Sequence, residues 1–248
     1  MKKHLKLFVL AISLVLVFTI YWIYKENNSD IYYVALGDSL VEGMDPYGVI
    51  GYSYSDYIRD YLKENNRLKF YTKEFSKSGY TTNDLKNDIE NNKSIKLKDR
   101  NLSIKEALRE SDLVTITIGA NDFLRGLSIN DLYTSLDDLQ ESKRKIDVIG
   151  KDVKDVIKIV KKYAKKQIIL VGYYNPLPRL TTIKGDVDEL IKYSYSVYED
   201  ICKDEDIECV NVFDVFDKNE ELLPNPLDIH PSIEGYEKIS KEVIKKID

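Results

Sequence analysis

The sequence predicts an α/β domain, in which helices cover both faces of a mostly parallel sheet. Short apolar runs that are rich in β-branched residues alternate with longer segments that have the spacing of amphipathic helices. This alternation extends over residues 31–248 without an internal repeat or a Gly/Ser/Pro-rich linker, so we expect a single domain. Polar motifs follow three of the predicted strands, and the carboxyl ends of parallel strands are where functional residues gather.

The first 30 residues differ from this pattern. A basic start is followed by residues 7–24, which carry no charge, and then by a polar spacer. A helix of about 18 residues spans about 27 Å, close to the thickness of the hydrocarbon core of a bilayer. No small-residue cleavage site follows the stretch, and lysines flank its N-terminal end. We therefore predict a cytoplasmic tail, a transmembrane helix and a spacer in residues 1–30, with residues 31–248 outside the cell; a buried core helix is the alternative.

Five predicted strands form the sheet. The first is apolar throughout, and the third has the β-branched composition of a buried central strand. In chain order, the predicted strands are residues 31–36, 68–75, 113–118, 167–171 and 207–212.

Five helices are predicted between and after these strands. The first has apolar side chains at positions that share one helical face. Thr81 or Thr82 is the expected N-cap of the second helix, and Ser232 is that of the last. In chain order, the predicted helices are residues 52–64, 82–91, 152–164 with a start that can lie well upstream, 185–202 and 232–247.

The charge and the cysteine content exclude several function classes. The chain has 37 Lys and Arg against 42 Asp and Glu, and its basic clusters fall on helix-like stretches among acidic residues. Such clusters are most simply solvated faces, so we expect no nucleic acid partner. Cys202 and Cys209, together with one distant histidine, are too few for a metal site. The two cysteines form either a disulfide, which an extracytoplasmic location allows, or two free buried thiols.

The predicted domain contains one histidine, His230, in the sequence Asp228-Ile229-His230-Pro231. The other histidine, His4, lies in the basic tail beyond the apolar stretch. If the domain uses imidazole base chemistry, His230 must therefore be the base.

Three further candidates follow successive predicted strands. Ser39 follows the first strand through Gly37, which allows a tight exit that leaves a side chain exposed at the sheet edge. Gly79 lies in the loop after the second strand, where the missing side chain lets a backbone N–H approach a ligand. Asn121 follows the third strand and can donate an amide N–H to a developing oxyanion. Each motif alone also occurs as an ordinary turn or helix cap, but their order at successive strand ends favours a serine hydrolase.

Together these blocks resemble the GDSL or SGNH hydrolases. The resemblance covers nearly all of residues 30–248 and implies a three-layer α/β/α sandwich of flavodoxin-like type. It implies Ser39 as nucleophile, His230 as general base, and an oxyanion hole from the backbone N–H groups of Ser39 and Gly79 and the Asn121 amide. Within the family, the chain looks most like membrane-anchored lipase/acylhydrolase-type proteins of Gram-positive bacteria. The blocks that carry the resemblance are Gly37-Asp38-Ser39-Leu40, Gly79, Gly119-Ala120-Asn121-Asp122 and His230-Pro231.

The acid of the expected catalytic triad departs from the family pattern. The family usually places it three residues before the histidine, where this chain has Leu227, whereas Asp228 lies two residues before. Either Asp228 orients His230 from a shifted loop, or a backbone carbonyl orients the ring instead.

The expected function is that of an extracytoplasmic serine ester hydrolase that needs no metal and no cofactor. Its substrate is an ester of a small molecule, a lipid or a glycan. One alternative is an O-acetylesterase for cell-wall glycans; for it Tyr47, Tyr52, Tyr54 and Tyr80 could stack on sugars, although ordinary packing explains these tyrosines more simply. The other alternative is a non-catalytic surface binding domain with the same fold.

Overall fold

The computed structural model describes residues 12–19, 30–98, 100–125, 138–179, 182–217, 219–226 and 228–247. The strands in these ranges are β1 (Ile31–Gly37), β2 (Leu68–Thr72), β3 (Ser94–Lys96), β4 (Asn101–Ser103), β5 (Leu113–Thr117), β6 (Gln167–Val171) and β7 (Glu208–Val210). The helices are α1 (residues 12–19), α2 (Ser39–Glu42), α3 (Tyr54–Glu64), α4 (Thr82–Glu90), α5 (Ile104–Glu110), α6 (Ala120–Leu124), α7 (Leu139–Tyr163), α8 (Lys184–Glu205), α9 (Phe213–Asp217) and α10 (Ile233–Ile244), with a 3₁₀ turn over Glu220–Leu222.

Five parallel strands form the main sheet in the order β2-β1-β5-β6-β7, and β3 and β4 form a separate antiparallel hairpin. Without the hairpin this is the flavodoxin-like order, in which the winding of the sheet reverses between β1 and β5. Ligands of such sheets bind in the crevice beyond the carboxyl ends of the two strands at the reversal. The segments that follow β1 and β5 carry Ser39 and Asn121, so the strand order alone places both residues at this crevice.

Alternate side chains of β1 separate the two hydrophobic clusters of the domain. Val34 and Leu36 pack on one face with α4, α5, α7 and α8, whereas Tyr33 and Ala35 pack on the other face with α3 and α10. All seven residues of β1 are buried, as expected for a strand that helices cover on both sides. The predicted α/β class with a mostly parallel sheet is therefore confirmed.

Two buried threonines of β5 pair with tyrosine hydroxyls. Thr115 Oγ1 lies 2.8 Å from the Tyr33 hydroxyl, and Thr117 Oγ1 lies 2.7 Å from the Tyr54 hydroxyl. Because each hydroxyl can donate and accept, these polar groups are satisfied inside the core. Tyr54 is fully buried, so ordinary packing, and not stacking on a sugar, accounts for this tyrosine.

The observed elements differ from the predicted ones at their ends and in the short elements. β2 ends at Thr72, because the chain then turns through a 2.9 Å bond from Ser76 N–H to the Lys73 carbonyl. α7 begins at Leu139, where Asp138 caps it by accepting from the Glu141 N–H. The β3–β4 hairpin and helices α2, α5, α6 and α9 are absent from the prediction, because elements of seven residues or fewer show no clear periodicity.

The predicted transmembrane segment falls mostly outside the described residues. Of residues 7–24 the structure describes 12–19, which form α1 with exposed side chains. In the described ranges, no helix is both long and apolar enough to cross a bilayer. The anchor therefore stays a prediction.

A disulfide between Cys202 and Cys209 joins the last turns of α8 to β7. Of the two alternatives for these cysteines, the bonded pair is the one in the structure. Cys202 is buried beside Tyr198 and Ile201, so the disulfide holds this end of α8 against the edge of the sheet.

Replacement of either cysteine by serine is expected to destabilise the domain. A disulfide that closes a loop this short stabilises by about 2 to 3 kcal/mol in the chain-entropy model, because it restricts the unfolded chain. Cys202→Ser and Cys209→Ser should lower the free energy of unfolding in urea by similar amounts, and the double variant should lose no more than either single one. Thiol titration of the denatured, unreduced wild type supplies the control, and a free thiol there would contradict the bond.

Candidate active site

The turn that carries Ser39 depends on Gly37, the last residue of β1. Gly37 has a φ of +146°, and a Cβ atom on it would lie 2.1 Å from the Thr117 carbonyl oxygen. The next residue, Asp38, donates its N–H to that same oxygen at 3.2 Å and caps α2 by accepting from the Leu40 N–H at 3.0 Å. The chain therefore changes from strand to helix within two residues, and Ser39 is the first residue of α2.

Ser39 and His230 are in hydrogen-bond contact, with 2.8 Å between Ser39 Oγ and His230 Nε2. On the other side of the ring, His230 Nδ1 lies 2.7 Å from Asp228 Oδ1. An ionised carboxylate has no proton to donate, so Nδ1 carries the ring hydrogen and Nε2 is left to accept the Ser39 proton. The arrangement is that of a nucleophile, a base and an acid that orients the base.

The two-residue spacing of Asp228 and His230 fits a tight turn. The same oxygen, Asp228 Oδ1, also accepts the backbone N–H of His230 at 2.8 Å, so one atom holds both the backbone and the ring. Tyr174 secures the loop from the sheet side, because its hydroxyl donates to the Ile229 carbonyl at 2.8 Å. Leu227, whose carbonyl was the alternative partner of the ring, lies outside the described residues.

Gly79 and Asn121 lie in two neighbouring loops. Asn121 Nδ2 donates to the Tyr80 carbonyl at 2.9 Å, which leaves the second amide hydrogen for a ligand. Gly79 has a φ of +80°, in the left-handed region that favours glycine, although its missing Cβ would meet no atom within 4 Å. The requirement for glycine at this position is therefore conformational and not steric.

Two carboxylates tie these loops to the helices beside them. Glu42, at the end of α2, accepts hydrogen bonds from the backbone N–H and the hydroxyl of Ser78, directly before Gly79. Asp122 accepts the N–H of Thr82 at 2.9 Å together with its hydroxyl, which joins α6 to the start of α4. The segments after β1, β2 and β5 are thus connected side chain to backbone around one crevice.

An apolar cavity of about 180 Å³ lies beside these polar groups. Ser39, Asn121 and His230 form part of its wall. Ser39 is only 9 % exposed, so it faces this cavity and does not project from an open turn as the sequence suggested. Most of the remaining wall is aliphatic or aromatic and comes from α6, α7, α8 and the segment after β6: Phe123, Leu124, Ile146, Ile149, Leu177, Val187, Leu190 and Ile191.

Asp38 places a buried carboxyl directly before Ser39. Burial raises the pKa of this carboxyl to about 6, although hydrogen bonds from the Tyr173 hydroxyl and the Leu40 N–H act in the opposite direction. Burial and the Asp38 charge raise the pKa of Tyr173 well above its ordinary range, so this phenol keeps its proton. Because the folded pKa of Asp38 exceeds its ordinary value, its charge costs stability above about pH 6, and this cost disappears as the pH falls toward 4.

The structure brings the five residues that the motifs identified to this crevice. Ser39, Asp228 and His230 touch one another, and Asn121 shares their cavity. Gly79 lies one residue from the Tyr80 carbonyl that Asn121 contacts.

Three other residues of the site, Glu42, Tyr173 and Tyr174, are not evident from the sequence. Tyr173 and Tyr174 follow β6 after one residue, Gly172, and their position after a strand is the signal that could have found them. Among 19 tyrosines that signal is weak. Glu42 has no signal of its own, because its partner Ser78 is 36 residues away.

Comparison with known proteins gives one family and several structural neighbours. The profile of the GDSL-like Lipase/Acylhydrolase family matches residues 35–238. The uncharacterized protein YpmR of Bacillus subtilis (strain 168) is 26% identical over 230 residues, which are 90% of this chain and 83% of YpmR.

Two solved structures share the fold. The lipase Lip_vut3 from a goat rumen metagenome matches with a TM-score of 0.65 and 20% identity, covering 86% of this chain and 95% of the lipase. A catalytic mutant of Axe2, an acetylxylan esterase from Geobacillus stearothermophilus, matches with a TM-score of 0.62 and 19% identity, covering 88% of this chain and 94% of Axe2. At these identities the likeness extends to the fold alone.

Asp228→Asn is expected to slow the reaction of Ser39 with a serine-directed phosphonate. Amidation removes the charge that stabilises a protonated ring, and the same change in the triad of another serine enzyme costs roughly 10⁴-fold in kcat. The rate of labelling, followed by mass spectrometry of the intact protein, measures the effect.

Asp45→Asn is the matched control for this substitution. Asp45 Oδ1 accepts two backbone N–H groups, from Tyr47 and Val49 at 2.8 Å each, but no contact with the His230 ring is found for it in the described residues. In Asp45→Asn the phosphonate should label Ser39 at the wild-type rate. A labelling rate of Asp228→Asn within about tenfold of wild type would show that another group orients His230.

Proposed function

The chain belongs to the GDSL-like lipase/acylhydrolase family and is an ester hydrolase, and from this premise we propose that it cleaves acyl esters through an acyl-enzyme on Ser39. One observation carries the proposal: the contact between Ser39 Oγ and His230 Nε2 is built into the wall of an apolar cavity. The pair supplies the chemistry and the cavity supplies a place for the acyl group. The alternative of a non-catalytic binding domain is therefore set aside.

The proposed reaction has two steps. As Ser39 Oγ forms a bond to the ester carbonyl carbon, its proton passes to His230 Nε2, and Asp228 stabilises the imidazolium. The N–H groups of Ser39 and Gly79 and the Asn121 amide are the proposed donors to the oxyanion. The bond to the alcohol oxygen then breaks, and the alcohol leaves with the proton from His230. Water attacks the acyl-enzyme with His230 again as base, which releases the carboxylic acid and restores the Ser39 hydroxyl.

The cavity favours an acyl chain longer than acetyl. A cavity of about 150 Å³ holds a benzene ring, so one of about 180 Å³ accommodates a chain of about six to eight carbons. Each methylene group that leaves water contributes about 0.8 kcal/mol, or about a fourfold gain in kcat/KM when the binding is realised in the transition state. An acetyl group would leave most of the apolar wall without contact.

An O-acetylesterase acting on cell-wall glycans is the second candidate. The acetylxylan esterase Axe2 shares the fold, which shows that this architecture can serve an acetylated glycan. Of the tyrosines that could stack on sugars, Tyr54 is buried, and the rings of Tyr52 and Tyr80 already have Arg59 and Lys93 over them. Tyr47 is the most exposed of the four, at 74 %. The apolar cavity favours the longer acyl ester.

We also propose that the domain lies outside the cytoplasmic membrane, on the predicted anchor within residues 7–24. The charge-free length of that stretch supports the anchor. The bond between Cys202 and Cys209 supports the compartment, since disulfides persist in oxidising environments and are rare in the cytosol.

A series of p-nitrophenyl esters from acetate to dodecanoate tests the proposed function. We expect kcat/KM to rise with chain length up to about six to eight carbons and then to level off, because the cavity is then filled. Ser39→Ala should abolish the hydrolysis while the circular dichroism spectrum stays unchanged. Turnover by Ser39→Ala would refute the acyl-enzyme, and a preference for acetate together with deacetylation of acetylated glycans would favour the second candidate.

Leu190→Trp should shift this selectivity toward short chains. The larger side chain fills part of the cavity, so the ratio of kcat/KM for octanoate to that for acetate should fall roughly tenfold or more. Val148→Trp is the matched control, because Val148 is exposed on α7 and does not line the cavity. An unchanged ratio in Leu190→Trp would place the acyl chain elsewhere.

The full-length protein is expected to fractionate with membranes and to resist extraction by high salt. A chain that begins at Ser29 should be soluble and fully active, because the anchor lies outside the domain. Immunoblotting of membrane and soluble fractions measures the distribution. Recovery of the full-length protein in the soluble fraction would rule out the anchor.

A further inference from the structure

Tyr173 connects the turn that carries Ser39 with the loop that carries Asn121, which belong to two separate sequence motifs. Its hydroxyl donates to Asp38 Oδ2 at 2.7 Å, in the turn directly before Ser39. The same hydroxyl oxygen lies 3.4 Å from the backbone N–H of Ala120, directly before Asn121. One side chain thus contacts the segment after β1 and the segment after β5.

The direction of these hydrogen bonds follows from the groups involved. The Asp38 carboxylate can only accept, and it accepts from the Leu40 N–H and from Tyr173. Tyr173 therefore directs its only proton at Asp38, which leaves a lone pair to accept from the Ala120 N–H. The chain of donors runs from Ala120 through Tyr173 to Asp38 in one direction.

We propose that Tyr173 is a positioning residue, which holds the turn that carries Ser39 in register with the loop that carries Asn121. The inference rests on the proposed function, because it assigns Ser39 and Asn121 to one reaction. Tyr173 acts through Asp38 and Ala120 and needs no contact with the reacting atoms. The oxyanion requires donors from both segments at once, so a small displacement between the segments lowers the rate.

The proposed positioning by Tyr173 also depends on the charge of Asp38. Hydrogen bonding by Tyr173 is the largest influence that lowers the pKa of this carboxyl, against the larger opposite effect of burial. Without the phenol, Asp38 would take up a proton at a higher pH, and the neutral carboxyl would hold the Leu40 N–H more weakly than the carboxylate does. The titratable groups that face Asp38 are Asp122, Tyr54, Tyr173, Tyr174, Tyr198 and Tyr236, with His230 in the wall of the same cavity.

Tyr173→Phe in the full-length enzyme tests the proposal. We expect kcat for p-nitrophenyl butyrate to fall roughly 10- to 100-fold with little change in KM, as for the loss of a hydrogen bond to a charged group. The acid limb of the pH profile of kcat/KM should also move to higher pH by roughly one unit. A merely structural role for the phenol would lower activity without moving the limb.

Two further variants separate this role from a general loss of packing. Tyr54→Phe removes a buried hydroxyl that bonds to Thr117, and it should leave the acid limb in place. Asp38→Asn cannot ionise, so adding Tyr173→Phe to it should produce little further change in kcat, in contrast to the effect of Tyr173→Phe alone.

Labelling of Ser39 by a fluorophosphonate, measured against pH, distinguishes this inference from the proposed function. Suppose that the wild-type enzyme reacts with the fluorophosphonate and hydrolyses esters. If the acid limb of the Tyr173→Phe pH profile then coincides with that of the wild type in both assays, Tyr173 is not a positioning residue. Additive losses in the Asp38→Asn, Tyr173→Phe double variant would overturn the inference as well. If Ser39 in wild type reacts with neither reagent, the proposed function itself fails.

Discussion

The close approach of β1 and β5 at Gly37 is the constraint on which the rest of the site depends. Gly37 pairs with Thr117 in the parallel register, and a side chain at Gly37 would collide with the Thr117 carbonyl. The two strands consequently end side by side at one edge of the sheet, and the segments that follow them start from neighbouring points. This backbone contact brings Ser39 and Asn121 close together, although they are 82 positions apart in the chain.

Around that contact, polar side chains attach the other loops of the site. Glu42 secures the Gly79 loop through Ser78, and Tyr174 secures the His230 loop through the Ile229 carbonyl. The buried carboxyl of Asp38 has a cost. Because its pKa is about 6 instead of 3.8, its full ionisation lowers the stability of the domain by about 3 kcal/mol. A domain that keeps Asp38 charged next to Ser39, the proposed nucleophile, gives up stability for geometry, as sites built for function commonly do.

The sequence predicts the framework, and which candidate residues lie together, better than it predicts the contacts that hold them. The long elements and the core strands follow from periodicity. If the domain uses imidazole base chemistry, its single histidine is the one candidate base in residues 31–248. Helices α2 and α6 have four and five residues, and their ends depend on caps and tertiary contacts that periodicity does not contain. The contact of Asp228 with the ring depends on the backbone path of one turn, and that of Tyr173 with Asp38 joins residues 135 positions apart. Neither leaves a local pattern in the chain.

The direction of β1 determines which side of the domain faces a tether attached upstream of the strand. The strand begins at Ile31 and leads after seven residues, about 23 Å of extended chain, to the turn before Ser39 at the opposite edge of the sheet. A tether attached upstream of Ile31 therefore pulls on the side of the domain that is remote from the nucleophile. With the proposed anchor in place, the carboxyl edge of the sheet, where Ser39 and His230 lie, would face away from the bilayer.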